Sequence, residues 1–138
     1  MIILDTHTWI WLINGDDKIR KSGFLSHINK SLKENKVLIP AICLWEVSML
    51  VSKERIVLSE STLDWIQKAS SAPGLGINPL SPEIAFESTV LPGEFHGDPA
   101  DRIIVATTRI LNGTLLTFDR GILDYSKRGY LQTIKPKR

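Results

Sequence analysis

Ile2-Ile3-Leu4-Asp5-Thr6 is a short apolar run that ends in an aspartate, and Thr114-Leu115-Leu116-Thr117-Phe118-Asp119 repeats the pattern far downstream. Apolar runs of this length read as buried strands of a parallel sheet. Open parallel sheets bind their ligands just beyond the carboxyl ends of the strands. An acid at such a place adds little to packing, because a buried, unpaired carboxylate costs several kcal/mol. A divalent cation is the obvious compensator.

Working outward from these runs, strand-like and helix-like segments alternate. After a strand over 2–4, a helix is expected over 8–13, stopped by Asn14-Gly15. A helical stretch over 23–33 carries Leu25, Ile28 and Leu32 at helical spacing. A second strand over 37–39 closes at Pro40, and an apolar helix follows over 41–51. Ser59 or Ser61 caps a helix with Leu63, Trp65 and Ile66; Gly74-Leu75-Gly76 then turns into a short strand over 77–80. Ser81-Pro82-Glu83 starts a helix that ends near 91, and Asp98-Pro99 starts another that runs to Asn112-Gly113. A strand ending at Asp119, a short helix over 122–125 and a strand over 131–134 complete the chain. This alternation implies an α/β fold, with a parallel sheet covered on both faces. The 138 residues suit one domain, spanning 1–138.

That length buries enough surface to fold without a disulfide or metal staple. Cys43 is the only cysteine, which excludes an intramolecular disulfide framework. Together with an N-terminus that enters a strand without a basic leader, this points to the cytoplasm. No apolar stretch has the length of a bilayer span, so no membrane association is expected. The net charge of +2 is too small to impose a nucleic-acid reading. From Asp119 onward, however, Arg120, Lys127, Arg128, Lys135, Lys137 and Arg138 face only Asp119 and Asp124. That segment reads either as a basic flank for a polyanion or as a solvated tail.

Five acids stand where a shared site can form. Asp5 and Asp119 end apolar runs. Glu46 sits among Leu44, Trp45 and Val47, out of pattern unless it faces a cleft. Asp98 and Asp101 open the helix that feeds the downstream strand. Each has a plain structural reading too: Asp5 and Asp98 as helix caps, Asp101 as a dipole partner, Glu46 as half of an ion pair. Together they suit Mg²⁺ or Mn²⁺, whose preferred ligands are carboxylate oxygens and water. Other chemistries lack support. There is no G-x-S-x-G, and His7, His27 and His96 have no metal-ligand spacing. Cys43 lies on an apolar helix, and Gly74-Leu75-Gly76 leads into a strand rather than a helix.

The ordered set Ile3-Leu4-Asp5-Thr6-His7, Leu44-Trp45-Glu46-Val47, Asp98-Pro99-Ala100-Asp101-Arg102-Ile103-Ile104-Val105-Ala106 and Leu116-Thr117-Phe118-Asp119 resembles the motifs of PIN-domain ribonucleases, most closely VapC-type toxins of bacterial toxin–antitoxin pairs. The resemblance covers nearly the whole chain. It implies a three-layer α/β/α fold with a five-stranded parallel sheet. It also implies Mg²⁺- or Mn²⁺-dependent RNA cleavage, homodimers and a cognate antitoxin. By position, Asp5, Glu46, Asp101 and Asp119 match the acidic quartet, and Thr6 and Thr117 match supporting hydroxyls. Asp98 is an extra acid that leaves open which of Asp98 and Asp101 is the main third ligand. Arg102 and Arg120 are the candidate phosphate contacts. His7 stands where many relatives have Asn. A non-catalytic RNA- or antitoxin-binding module on the same fold is the alternative, and it would have lost site acids. A phosphatase of the haloacid dehalogenase type would want an acid where this chain has His7. The large side chains Trp9, Trp11 and Trp45 are expected either to line a groove for an antitoxin segment or to be buried.

Overall fold

The computed structural model describes residues 1–137. Five short strands, β1 (Ile2–Leu4), β2 (Val37–Pro40), β3 (Leu75–Asn78), β4 (Thr114–Leu116) and β5 (Thr133–Ile134), form one sheet in the order β3-β2-β1-β4-β5. Every pairing is parallel; Ile3 sits opposite Leu38 on one side and Leu115 on the other. Eight helices occur among the described residues: α1 (Thr6–Asn14), α2 (Asp17–Ser22), α3 (Phe24–Lys33), α4 (Ile42–Ser52), α5 (Thr62–Ser70), α6 (Pro82–Thr89), α7 (Pro99–Leu111) and α8 (Arg120–Lys127). None is long and apolar enough to cross a membrane. Successive strand residues point to opposite faces, yet Ile2, Ile3 and Leu4 are all buried, so helices cover both sides. The result is the expected three-layer α/β/α architecture.

The strand order also locates the ligand crevice. From β1 the chain moves outward through β2 to β3, then returns to lay β4 on the other side of β1. At such a switch point the connections leaving adjacent strands diverge, and a crevice opens beyond the carboxyl ends. Asp5 follows β1 directly. Asp119 follows β4 after Thr117 and Phe118, so it lies beyond the strand rather than at its end. There it begins α8.

The tryptophans divide. Trp9 and Trp65 are buried edge-to-face at 5.2 Å, and the Trp65 indole N–H donates to Asn14 Oδ1 at 2.9 Å. Trp11 is half-buried and meets Phe118 edge-on at 4.9 Å. Trp45 alone among them stays 58% exposed. The C-terminal tail is docked by the Lys137 N–H, which donates to the Ser22 carbonyl at 2.8 Å; Arg138 lies outside the described residues.

The last strand is also shorter than expected, Thr133–Ile134, and two further differences have local reasons. The helix α2 is six residues of mostly charged sequence between Gly15 and Gly23, both with positive φ, and is too short to show a period. It exists because Asp16 caps it, accepting the Lys18 N–H at 2.8 Å. The strand β3 runs from Leu75 rather than from 77, because Gly74 at φ 82° turns the chain directly into register with Val37.

Gly74 therefore has two duties, and they can be separated. Its φ is left-handed, and a Cβ would lie 2.3 Å from the Leu32 carbonyl oxygen. Gly15 is also left-handed, φ 66°, with open space around it. In urea denaturation, Gly15→Ala should cost about 1 kcal/mol, the backbone strain alone. Gly74→Ala should cost at least about 3 kcal/mol, because backbone must also move. Equal losses would mean that the close approach to Leu32 has no energetic weight.

Candidate metal-binding site

Asp5 is held at both oxygens. As N-cap of α1 it accepts the Thr8 N–H on Oδ1 at 3.0 Å, while Oδ2 accepts the Thr117 hydroxyl. That hydroxyl also accepts the Asp119 N–H at 3.0 Å, and the Thr8 hydroxyl donates to the Leu116 carbonyl at 3.1 Å. The ends of β1 and β4 are thus tied together through side chains. Asp5 is only 7% exposed. Burial raises its pKa, and the hydrogen bonds from Thr117 and Thr8 work against that rise.

Two more helices start at the same place. Asp98 caps α7, accepting the Asp101 N–H on Oδ1 at 3.0 Å, with Pro99 in the first helical position. Asp119 caps α8, accepting the Ile122 N–H on Oδ2 at 2.8 Å. Three helix N-termini therefore converge, each with an aspartate on it. Exposed N–H groups and the positive ends of helix dipoles favour anions there. The cap reading and the site reading of Asp5, Asp98 and Asp119 hold together.

The remaining two acids cap nothing. Glu46 lies in the second turn of α4, where Oε1 accepts the Thr6 hydroxyl; among the described residues no cation pairs with it. Its pKa is raised, by burial first and then by Asp98 and Asp5, against the Thr6 hydrogen bond. Asp101, in the first turn of α7, is pushed up to about 7, by burial first and then by Asp98, Asp119, Glu46 and Asp5. A cavity of about 140 Å³ is lined by all five acids together with Thr6 and His7. Thr117 stands behind it on Asp5.

One residue of the site was invisible in the sequence. His96, in the loop before α7, places Nε2 3.3 Å from Asp101 Oδ2, and its Nδ1 accepts the Asp98 N–H at 3.3 Å. One ligand atom each from His96, Asp101 and Asp119 lie within 4.8 Å of one another. No regular spacing links His96 to the acids, because a loop rather than a helix brings it in. Its only signal is proximity to Asp98-Pro99. Arg102, expected at a flanking phosphate, holds this loop: Nε donates to the Ser88 carbonyl at 2.8 Å, and Nη1 to those of Phe95 and His96 at 3.0 and 3.3 Å. Arg120 is exposed at the start of α8.

The donor set fits a hard divalent cation: several carboxylates, partly sheltered, with too little positive charge nearby. Burial and the neighbouring carboxylates together keep a proton on Asp101 to about 7.

The chain and its fold are similar to known proteins. The PIN domain family profile matches residues 2–128. The chain is 31% identical over 122 residues to Ribonuclease VapC22 of Mycobacterium tuberculosis, covering 86% of this chain and 87% of that protein. Among solved structures it is similar to VapBC2 from Rickettsia felis bound to a DNA fragment from their promoter, with a TM-score of 0.71, 21% identity and coverage of 99% and 100% of the two chains. It is also similar to a toxin–antitoxin complex from Klebsiella pneumoniae, with a TM-score of 0.65, 20% identity and coverage of 100% and 99%. At these identities the structural likenesses bear on the fold.

The raised Asp101 pKa has a consequence for stability. Its folded value of about 7 lies well above the usual aspartate range, so between them the folded protein binds more protons than the unfolded chain. Stability is then lost as pH rises through that window. Asparagine removes this loss. In thermal melts with EDTA, Asp101→Asn should gain on the parent steadily from about pH 4 to about pH 8. A difference between the two proteins that does not change with pH would remove Asp101 from the cluster.

Proposed function

This chain belongs to the PIN domain family, and from that premise we propose that it is a divalent-metal-dependent endoribonuclease acting as the toxin of a toxin–antitoxin pair in the cytoplasm. The observation that carries the reading is the gathering of five carboxylates at the switch point, with Asp101 unable to ionise fully at neutral pH. Such a cluster is self-repelling and would also repel a phosphodiester. It makes sense as a seat for Mg²⁺ or Mn²⁺, held by Asp5, Asp101 and Asp119 with Asp98 beside them. When bound, the ion supplies neutralising charge at the phosphoryl oxygens and makes water more acidic.

The protein's own groups have distinct tasks in this proposal. Thr117 and the Thr8 N–H fix both oxygens of Asp5. Glu46, sheltered and raised in pKa, takes the proton from the attacking water, and the Thr6 hydroxyl on Oε1 sets its orientation. Arg120 meets a phosphate of the RNA next to the scissile one. That contact is the part of binding that weakens with salt. Retention of every matching acid argues against a module that only binds RNA or antitoxin.

A second cleft adjoins the acids. Ile42, Trp45, Met49, Pro99 and Ala100 line a space of about 350 Å³ whose wall continues into Glu46 and Asp98. We assign it to an apolar antitoxin segment, with an Arg or Lys of the antitoxin reaching the carboxylates. A homodimer is the expected assembly.

RNA cleavage mapping with purified protein tests the activity. EDTA should abolish cleavage. Asp5→Asn and Asp101→Asn should each lose at least about 100-fold, and Thr117→Val, which frees Asp5 to turn, about 10- to 100-fold. Asp98→Asn should lose less than either ligand variant. An Asp5→Asn protein that cuts as fast as the parent would end the assignment. The antitoxin cleft has its own check in tryptophan fluorescence. Adding the antitoxin should change the emission of the parent, and Trp45→Phe should lose most of that change. An undiminished change would place the antitoxin elsewhere.

A further inference from the structure

We propose that His96 is a nitrogen ligand of the same metal site, and that it biases the site toward Mn²⁺ over Mg²⁺. The inference rests on the metal-dependent reading above and adds a residue and a selectivity to it.

Four observations carry it. The first is distance. Donor atoms on opposite sides of an octahedral ion at about 2.1 Å lie about 4.2 Å apart. The His96, Asp101 and Asp119 donors already lie within 4.8 Å of one another, so they reach one ion by closing about half an ångström. The second is spacing. His96 Nε2 and Asp101 Oδ2 make an ion-pair contact at 3.3 Å. Neighbouring donors on one ion stand at about that separation.

The third is that the loop is built to present the ring. Arg102 binds the carbonyls of both Phe95 and His96. The Phe95 ring lies against the imidazole at 4.3 Å and against Tyr125 at 4.9 Å. An exposed histidine with no task would not need such support. The fourth is Gly121, in the first turn of α8, where no left-handed φ requires a glycine. A Cβ at this position would lie 3.2 Å from Asp119 Oδ2 and 3.5 Å from the His96 ring. Glycine keeps open the space across which His96 and Asp119 face each other.

Ligation through Nε2 puts the ring proton on Nδ1, so the long Asp98 N–H contact gives way. The side chain is 43% exposed, and water can accept the Nδ1 proton. The choice of ion follows from donor type. Carboxylates suit Mg²⁺ and Mn²⁺ alike, whereas an imidazole favours the transition-metal ion.

The test uses the full chain with Mn²⁺ or Mg²⁺ alone, and reads binding rather than cleavage. Titration calorimetry gives the two affinities. Pulsed electron paramagnetic resonance of bound Mn²⁺ detects a coordinated nitrogen. The parent should show nitrogen coupling, which His7→Ala keeps and His96→Ala loses. His96→Ala should weaken Mn²⁺ about tenfold and leave Mg²⁺ nearly unchanged. Coupling that is absent from the parent, or lost in His7→Ala instead, overturns the inference. So does an unchanged ratio of the two affinities in His96→Ala; in these cases the metal-dependent reading stands. A parent that binds neither ion overturns both.

Discussion

The link from Thr117 to Asp5 is the constraint on which the rest of the site depends. One hydroxyl donates to Asp5 Oδ2 and accepts the Asp119 N–H, so a single oxygen sets the first acid and the last. Because Thr117 follows β4 and Asp5 follows β1, the link also spans the crevice at the switch point. Sheet register is thereby converted into side-chain geometry. Were β1 and β4 paired one residue out of step, Thr117 would face the wrong way and the two acids would part.

Electrostatics then explains why the cluster is assembled from helix caps. Two carboxylates about 5 Å apart at an effective dielectric of about 20 repel by roughly 3 kcal/mol. A helix N-terminus returns about 0.3–1 kcal/mol to an anion on it. Three such ends, on α1, α7 and α8, therefore soften the repulsion among Asp5, Asp98 and Asp119 without cancelling it. Asp101 lies in the first turn of α7 without capping it, and burial first, then the four neighbouring carboxylates, hold its proton to about 7. The capping bonds also hold the caps to fixed positions whether or not a cation is present. A cation thus meets a largely formed site.

Much of this was readable in the residues. Buried parallel strands show themselves as unbroken apolar runs, and Asp5 and Asp119 were conspicuous at the ends of two of them. Glu46 was conspicuous because its neighbours are apolar, and Asp98-Pro99 because proline after a capping residue starts helices. What could not be read depends on geometry that spacing does not encode. His96 reaches the acids through a loop held by Arg102, and Arg102 is placed by carbonyls whose positions no local pattern reveals. The fate of each tryptophan turned on which face its helix buries. Trp9 lies against Trp65, whereas Trp45, one residue before Glu46, shares that acid's side of α4 near Asp98 and Pro99. The helix α2 escaped notice because six residues, four of them charged, are too few to show a period.

The central position of β1 has a further consequence, concerning the order in which the molecule comes into being. The strand β1 needs neighbours on both sides, and its partner β4 is synthesised more than a hundred residues after it. Thr117 stands 112 positions after the aspartate it holds. A growing polypeptide carries Asp5 and Glu46 from early on, but half of the central strand's sheet partners and one wall of the crevice do not yet exist. Contacts so distant along the chain form late and slowly. A chain broken off between β1 and β4 therefore lacks both Asp119 and the Thr117 hydroxyl that holds Asp5, so the two ends of the crevice are joined only once β4 has been made.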